Sequence, residues 1–273
     1  MMGNNIYNTG TDMDIDLKRI KSNFGISWIE SDCKELYDGG YSKCLEKNGI
    51  VRKYFVHDNP GRFIEEYNMM LMLYDADILI PKPLDFGYDT IKRKWYIESE
   101  FLPFEPIPEV INRTLFDLIR DFISKIEKIE YIGNDNWSRQ LDDFERSLQL
   151  YGREKNESVE STLNYLKGKK VSVFSHGDFL PKNLGLTERG IVAFDLQNGG
   201  QGPDKWDLCY FLSAYEPSFI SEEIKSLISD EWLETIISIL KIRIGRAIRK
   251  EMETDELENK KCAWENLRVL EGR

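Results

Sequence analysis

Apolar positions follow two rhythms along this chain, and the change between them falls near residue 103. Before it, apolar residues recur at every second position in short runs separated by Gly, Pro, Asn and Asp, the pattern of half-buried strands. Residues 26–47 read as two strand-like runs broken by Asp38-Gly39-Gly40-Tyr41-Ser42. Asn48-Gly49 then joins 42–47 to 50–55 as a two-residue hairpin, because both residue types tolerate the positive φ of such a turn. Residues 84–88 and 94–102 give two more strands. One helix is predicted among them over 60–74; Ile80-Pro81-Lys82-Pro83 stops it, since proline lacks the amide hydrogen and restricts the residue before it. A short helix also suits 14–23, with Ile15, Leu17 and Ile20 on its inner side.

Past Pro108 the spacing changes to three and four. Ile111, Leu115, Leu118, Phe122, Ile126 and Ile129 mark one face of a long amphipathic helix. Residues 141–150 and 158–166 continue the pattern, and the polar stretch 151–157 between them reads as a surface loop. Another helix starts at Trp206, and 222–250 carries a stripe through Leu227, Trp232, Ile236, Leu240 and Ile244, in one helix or two. The chain therefore predicts an α+β fold, with an antiparallel sheet and one main helix over 1–103 and a larger, mostly helical part over 104–273.

The helical part has one strand-like interruption. Val171, Val173 and Ser175 alternate with Ser172 and Phe174 and stop at His176-Gly177-Asp178; a second apolar strand, 191–194, ends at Asp195. Asn183 lies five residues beyond Asp178. Taken singly, an Asp at a strand end is a turn or cap residue. Together, two carboxylates and an amide near one point suit phosphoryl transfer. Mg²⁺ takes oxygen ligands and keeps several waters, so one or two protein oxygens suffice while phosphates supply others; Asn183 and Asp195 fit that need. Asp178, a further carboxylate, is placed to accept the proton of an attacking hydroxyl.

Charge and cysteine usage narrow the class. A formal net charge of -11 opposes nonspecific binding to nucleic acid and favours a cationic small molecule. Cys33, Cys44, Cys209 and Cys262 form no Cys-x-x-Cys pair, and His57 and His176 are the two histidines, which opposes a zinc site. The first residues lack a basic region followed by an apolar run, and no apolar stretch reaches the roughly 18 residues of a membrane span. A cytoplasmic protein with reduced thiols and no membrane partner is expected.

Within the strand 50–55, alternation puts Val51, Lys53 and Phe55 on one face. A lysine between apolar neighbours is costly unless a carboxylate pairs with it. The helix over 60–74 offers Glu65 and Glu66; a Lys53–Glu66 pair would match the strand lysine and helix glutamate that hold phosphates in kinases. Gly39 and Gly40 could let backbone amides approach phosphate oxygens, although a bare Gly-Gly is commonly just a turn.

The string His176-Gly177-Asp178-Phe179-Leu180-Pro181-Lys182-Asn183, then Asp195, then Gly202-Pro203-Asp204 ahead of Trp206-Asp207-Leu208, resembles the signature of the aminoglycoside phosphotransferase and choline kinase superfamily. The resemblance spans most of residues 33–212. It implies a protein-kinase-like two-lobe fold and an ATP- and Mg²⁺-dependent kinase acting on a hydroxyl of a small molecule. By resemblance Asp178 is the catalytic base, Asn183 and Asp195 are metal ligands, and Asp207 is a buried brace. His176 stands with Asp178 as a candidate catalytic residue, with a loop-organising role favoured because phosphoryl transfer depends on positioning. Gly39, Gly40 and Ser42 would cover the nucleotide, with Lys43 where many relatives carry Asn. Glu100 and Leu102 would meet adenine through their backbone.

The acceptor is left open between an aminoglycoside or aminoalcohol and a neutral sugar or amino-acid alcohol of homoserine or methylthioribose type, as is ATP against GTP. Acidic residues in the last third, Glu216 to Glu258, bind substrate amines in the resembling enzymes but read by themselves as a solvated helix face. Tyr210, Phe211 and Tyr215 read as core. A protein kinase fits poorly, because Asp195 is followed by Leu196-Gln197, no Ala-Pro-Glu occurs, and Asp207 follows closely. A non-catalytic nucleotide-binding module on the same fold is the remaining rival.

Overall fold

The computed structural model describes residues 28–38, 42–55, 60–131, 133, 136–251 and 258–270. The helix expected over 14–23 and the turn at Gly39 and Gly40 lie outside the described residues. Strands β1 (Lys34–Asp38), β2 (Ser42–Lys47) and β3 (Ile50–Phe55) are followed by helix α1 (Pro60–Asp75), then β4 (Pro83–Asp89) and β5 (Lys94–Glu100). The strands form one antiparallel sheet in the order β1-β2-β3-β5-β4. Asn48 and Gly49 adopt φ of 53° and 77°, as the two-residue hairpin requires, and the Gly49 amide donates to Glu46 Oε1 at 2.9 Å.

Alternation along β3 decides what each face of the sheet does. Phe55 lies under α1, where Phe63 meets it at 5.7 Å and stacks on Trp95 at 4.7 Å. Arg52 points the other way and is buried, its guanidinium 4.6 Å from the Trp28 ring and 4.2 Å from Tyr96, with Glu98 Oε1 of β5 at 2.6 Å. The register sets Arg52 opposite Glu98, so the pair is built into the strand alignment.

The rest of the chain is mainly helical: β6 (Glu105–Pro106), α2 (Arg113–Ile126), α3 (Asn136–Lys155), α4 (Glu160–Lys167), β7 (Val171–Ser175), β8 (Leu184–Thr187), β9 (Gly190–Ala193), β10 (Gly200–Pro203), α5 (Trp206–Leu212), α6 (Glu222–Lys225), α7 (Asp230–Glu251) and α8 (Glu258–Leu270). The stripe over 222–250 resolves into two helices, α6 and α7. The first expected helix is shorter than its apolar period. The Asn112 side chain accepts from the Leu115 amide and starts α2, whereas Ile111 precedes the helix and bridges Ile220 in parallel. The face that α2 buries runs through Leu115, Phe116, Ile119, Phe122, Ile123 and Ile126, and Leu118 is turned to solvent. Residues 151–155, expected in a loop, are the last turn of α3, because Tyr151 extends the buried stripe of Phe144 and Leu148. Gly245 permits the close crossing of α3 and α7: a Cβ there would lie 1.8 Å from the Ser147 carbonyl oxygen.

Candidate active site

Two small sheets frame the loop after Ser175. β7 pairs with β10, and β9 pairs with β8, so the two strands that deliver Asp178 and Asp195 are not hydrogen-bonded neighbours. His176 joins them. Its ring is 1% exposed; Nε2 lies 2.8 Å from the Phe194 carbonyl, while Nδ1 accepts from the Asp178 amide at 3.3 Å. Both nitrogens are therefore committed to main chain, with the proton on Nε2. Asp207, at the start of α5, is buried beneath the loop and accepts from Ser175 Oγ at 2.9 Å, the His176 amide at 2.7 Å and the Gly177 amide at 3.1 Å. Burial raises its carboxyl above the usual aspartate range, and these donors oppose that rise. At Gly177 φ is 77° and a Cβ would fall 2.1 Å from the Asn198 carbonyl oxygen, so only glycine fits this turn.

The loop then doubles back. Asn183 closes a 3-10 turn begun by Pro181, and its Nδ2 donates to the Asp178 carbonyl at 2.8 Å and to Asp178 Oδ2 at 2.9 Å. That leaves Asn183 Oδ1 and Asp178 Oδ1 without hydrogen-bond partners among the described residues. Asp195 follows β9 in the left-handed region, φ 60° and ψ 64°, which turns the chain sharply into Leu196–Asn198. The Asn198 carbonyl takes Asn136 Nδ2 at 2.6 Å and Gln140 Nε2 at 3.1 Å, so α3 buttresses the same turn.

Lys53 connects the sheet to this loop. Its Nζ lies 2.9 Å and 3.1 Å from the two Glu66 oxygens and 2.7 Å from Asp195 Oδ1. The choice of Glu66 over Glu65 is thereby made. Burial works against the charge of Lys53, yet the carboxylates of Glu66 and Asp195 outweigh it and hold the amine above its usual range. Burial raises the Glu66 carboxyl, with Lys53 pulling the other way, whereas Asp195 opens on the cleft and, against an opposing partial desolvation, is held below the usual aspartate range by the Lys53 charge.

These groups line one cleft of about 380 Å³ together with Ser42, Cys44, Val51, Lys182 and Phe194. Glu100 and Leu102 line it too. The Glu100 amide is taken by the Lys82 carbonyl at 2.9 Å and that of Phe101 by Gly49 at 2.8 Å, while the Leu102 amide has no partner among the described residues. Asp178 stands on the loop beside the cleft rather than in its lining. Sequence reasoning missed Cys44, Phe104 and Lys182. Alternation could have put Cys44 beside Ser42 on one face of β2; its thiol is pushed up to about 11 by burial, which keeps it protonated. Phe104 reaches the cleft by packing its ring against Phe194, tilted at 45° with centroids 4.7 Å apart, a contact across some ninety residues that no local pattern announces. Of the acidic residues in the last third, Glu222, Glu223, Asp230, Glu231 and Glu234 are exposed, and Tyr210, Phe211 and Tyr215 are buried in the core.

Neither a family model nor a curated protein matches the sequence. Solved structures do match it in shape. An amicoumacin kinase in complex with AMP-PNP, Ca²⁺ and Ami superposes with a TM-score of 0.65 at 14% identity, over 96% of this chain and 93% of that one. The GDP and kanamycin complex of APH(2″)-IIIa gives 0.64 at 12% identity, over 94% and 98%. An ethanolamine kinase from Plasmodium vivax gives 0.58 at 13% identity, over 90% and 83%. The chain has the two-lobe fold of these small-molecule kinases. The likeness runs through nearly all of the chain, well beyond the residues that carry the sequence motif, and at these identities it is a likeness of fold.

Proposed function

We propose that the protein transfers a phosphoryl group from ATP to a hydroxyl of a small molecule. Residues 1–103 would form the nucleotide-binding lobe and 104–273 the catalytic and acceptor-binding lobe. The observation that carries this reading is one cleft that gathers Lys53, Glu66, Asn183 and Asp195, with Asp178 fixed beside it by the Asn183 amide. Ser42 and the backbone of Glu100 and Leu102 would bound the nucleotide, the free Leu102 amide donating to the base. Gly39 and Gly40 would cover its phosphates.

The donor set suits Mg²⁺. No group of three or more His, Cys, Asp or Glu side chains able to hold a metal occurs among the described residues, and Mg²⁺ bound with a nucleotide needs none, since phosphates and waters supply most of its oxygens. Asn183 Oδ1 and Asp195 would be its protein ligands, and when bound it neutralises charge on the phosphates. The chain's own residues do the remaining work. Lys53, steadied by Glu66, holds phosphate oxygens. Asp178 orients the acceptor hydroxyl through the oxygen that Asn183 leaves free and takes its proton as the new O–P bond forms and the bond to the leaving diphosphate breaks. His176 and Asp207 hold the loop in shape. Alignment and charge neutralisation supply the rate.

The net charge of -11 favours a cationic acceptor, as an aminoglycoside or aminoalcohol would be. Free thiols at Cys33, Cys44 and Cys209 agree with a reducing, cytoplasmic setting. The test is ADP release from Mg-ATP, with Mg-GTP in parallel, across aminoglycosides, choline-like amines, neutral sugars and amino-acid alcohols, beside Asp178→Asn. One acceptor should raise turnover by orders of magnitude. Asp178→Asn should abolish most of that gain, about 10²- to 10⁴-fold, and still bind nucleotide. No response to any acceptor, with the variant matching wild type, would move the non-catalytic binding module ahead.

A further inference from the structure

Among the described residues, two cations line the cleft, and they differ in how they are engaged. Lys53 is matched by Glu66 and Asp195 at 2.9 Å and 2.7 Å. Lys182 is exposed, lines the same cleft, and makes no hydrogen bond or ion pair among the described residues. It sits in the turn Pro181–Asn183, between Asp178, whose carboxylate Asn183 holds, and Asn183 itself. Proline fixes the start of this turn, and the Asn183 amide closes it on the Leu180 carbonyl at 2.9 Å, so the backbone under Lys182 is set. Its charge acts on the Asp195 carboxylate across the cleft.

Building on the kinase reading, we propose that Lys182 binds the terminal phosphate of the nucleotide and stabilises the charge on the phosphoryl group in transfer. A triphosphate with one divalent cation keeps net negative charge. The carboxylates that hold Lys53 already offset the charge of that lysine, so the cleft needs a second cation where the terminal phosphate meets Asp178. Among the described residues, Lys182 is the cation lining the cleft that no carboxylate pairs. As a flexible point charge it can follow the phosphoryl group from nucleotide toward acceptor. A diphosphate, lacking that group, would not engage it.

Calorimetric titration of the whole chain with Mg-AMP-PNP and with Mg-ADP tests this, using wild type, Lys182→Met and Lys182→Arg. Wild type should prefer AMP-PNP. Lys182→Met should lose about 10- to 100-fold in AMP-PNP affinity, the scale of one charge-assisted hydrogen bond, with ADP affinity unchanged. Lys182→Arg should keep most of the preference. A Lys182→Met protein that retains the wild-type preference, or that loses both nucleotides equally, overturns the assignment while leaving the nucleotide site in place. Wild type that binds neither nucleotide would remove the kinase reading itself.

Discussion

Arg52 and Lys53 are neighbours on one strand, both basic and both paired with carboxylates, and they sit in opposite kinds of place. Arg52 is closed in: Glu98 at 2.6 Å, Asp89 at 3.8 Å, Tyr54 Oη at 3.2 Å, and the rings of Trp28 and Tyr96 at 4.6 Å and 4.2 Å. Lys53 opens on a cleft of about 380 Å³, and one of its partners, Asp195, is 43% exposed. An ion pair whose atoms are all engaged within the protein is a structural tie. An ion pair with a cavity in front of it and acceptor atoms to spare has room for a ligand. Burial of a charge therefore does not mark a site by itself; what stands on the open side does.

That contrast can be broken experimentally. The largest effect should follow Arg52→Ala, which leaves Glu98 partly buried without its partner and removes the guanidinium packed on Trp28 and Tyr96. Breaking such a pair costs about 3–5 kcal/mol, read as a lower midpoint in chemical denaturation. Turnover per folded molecule should be unchanged, and a specific loss of activity would mean the outer cluster is not merely structural. Lys53→Met should do the reverse in function, lowering turnover about 10²- to 10³-fold.

The same variant should also differ from wild type in its response to pH. Without Lys53, the buried Glu66 loses the cation that opposes its upward shift. A carboxyl raised in the folded state favours folding at low pH, and that stability is lost as pH rises through its folded value. Lys53→Met should accordingly lose stability relative to wild type as pH climbs above the ordinary glutamate range. A constant difference between the two proteins from pH 5 to 8 would show that Glu66 is not the buried carboxyl described here.

How much of this was legible in the sequence depends on how local each feature is. The loop from His176 to Asn183 and the strands beside it are contiguous, so spacing alone brought Asp178 and Asn183 together, and the alternation of β3 set Lys53 on the face that lines the cleft. The hairpin at Asn48-Gly49 was equally plain, because its turn chemistry is confined to two residues. Distant partnerships were not visible. Asn136 and Gln140 reach the turn after Asp195 from α3, and Arg52 is buried because Trp28, Tyr96 and Glu98 converge on it. Leu118 kept the helical period yet faces solvent, since period fixes only spacing and the neighbours of α2 decide which stripe is covered. Lys182 could not be singled out by pattern at all, because its distinction is that no carboxylate among the described residues pairs with it, which requires the cleft to be in view.

In the proposed function, Asn183 and Asp195 would hold a divalent ion with a nucleotide in front of Lys53. Diffraction from crystals grown with AMP-PNP and Mn²⁺, recorded at a wavelength where manganese scatters anomalously, tests it directly. An anomalous peak is expected within coordination distance of Asn183 Oδ1 and the Asp195 carboxylate, with phosphate oxygens completing the shell and the base near the Leu102 amide. Nucleotide bound elsewhere, or a manganese peak away from both residues, would contradict it.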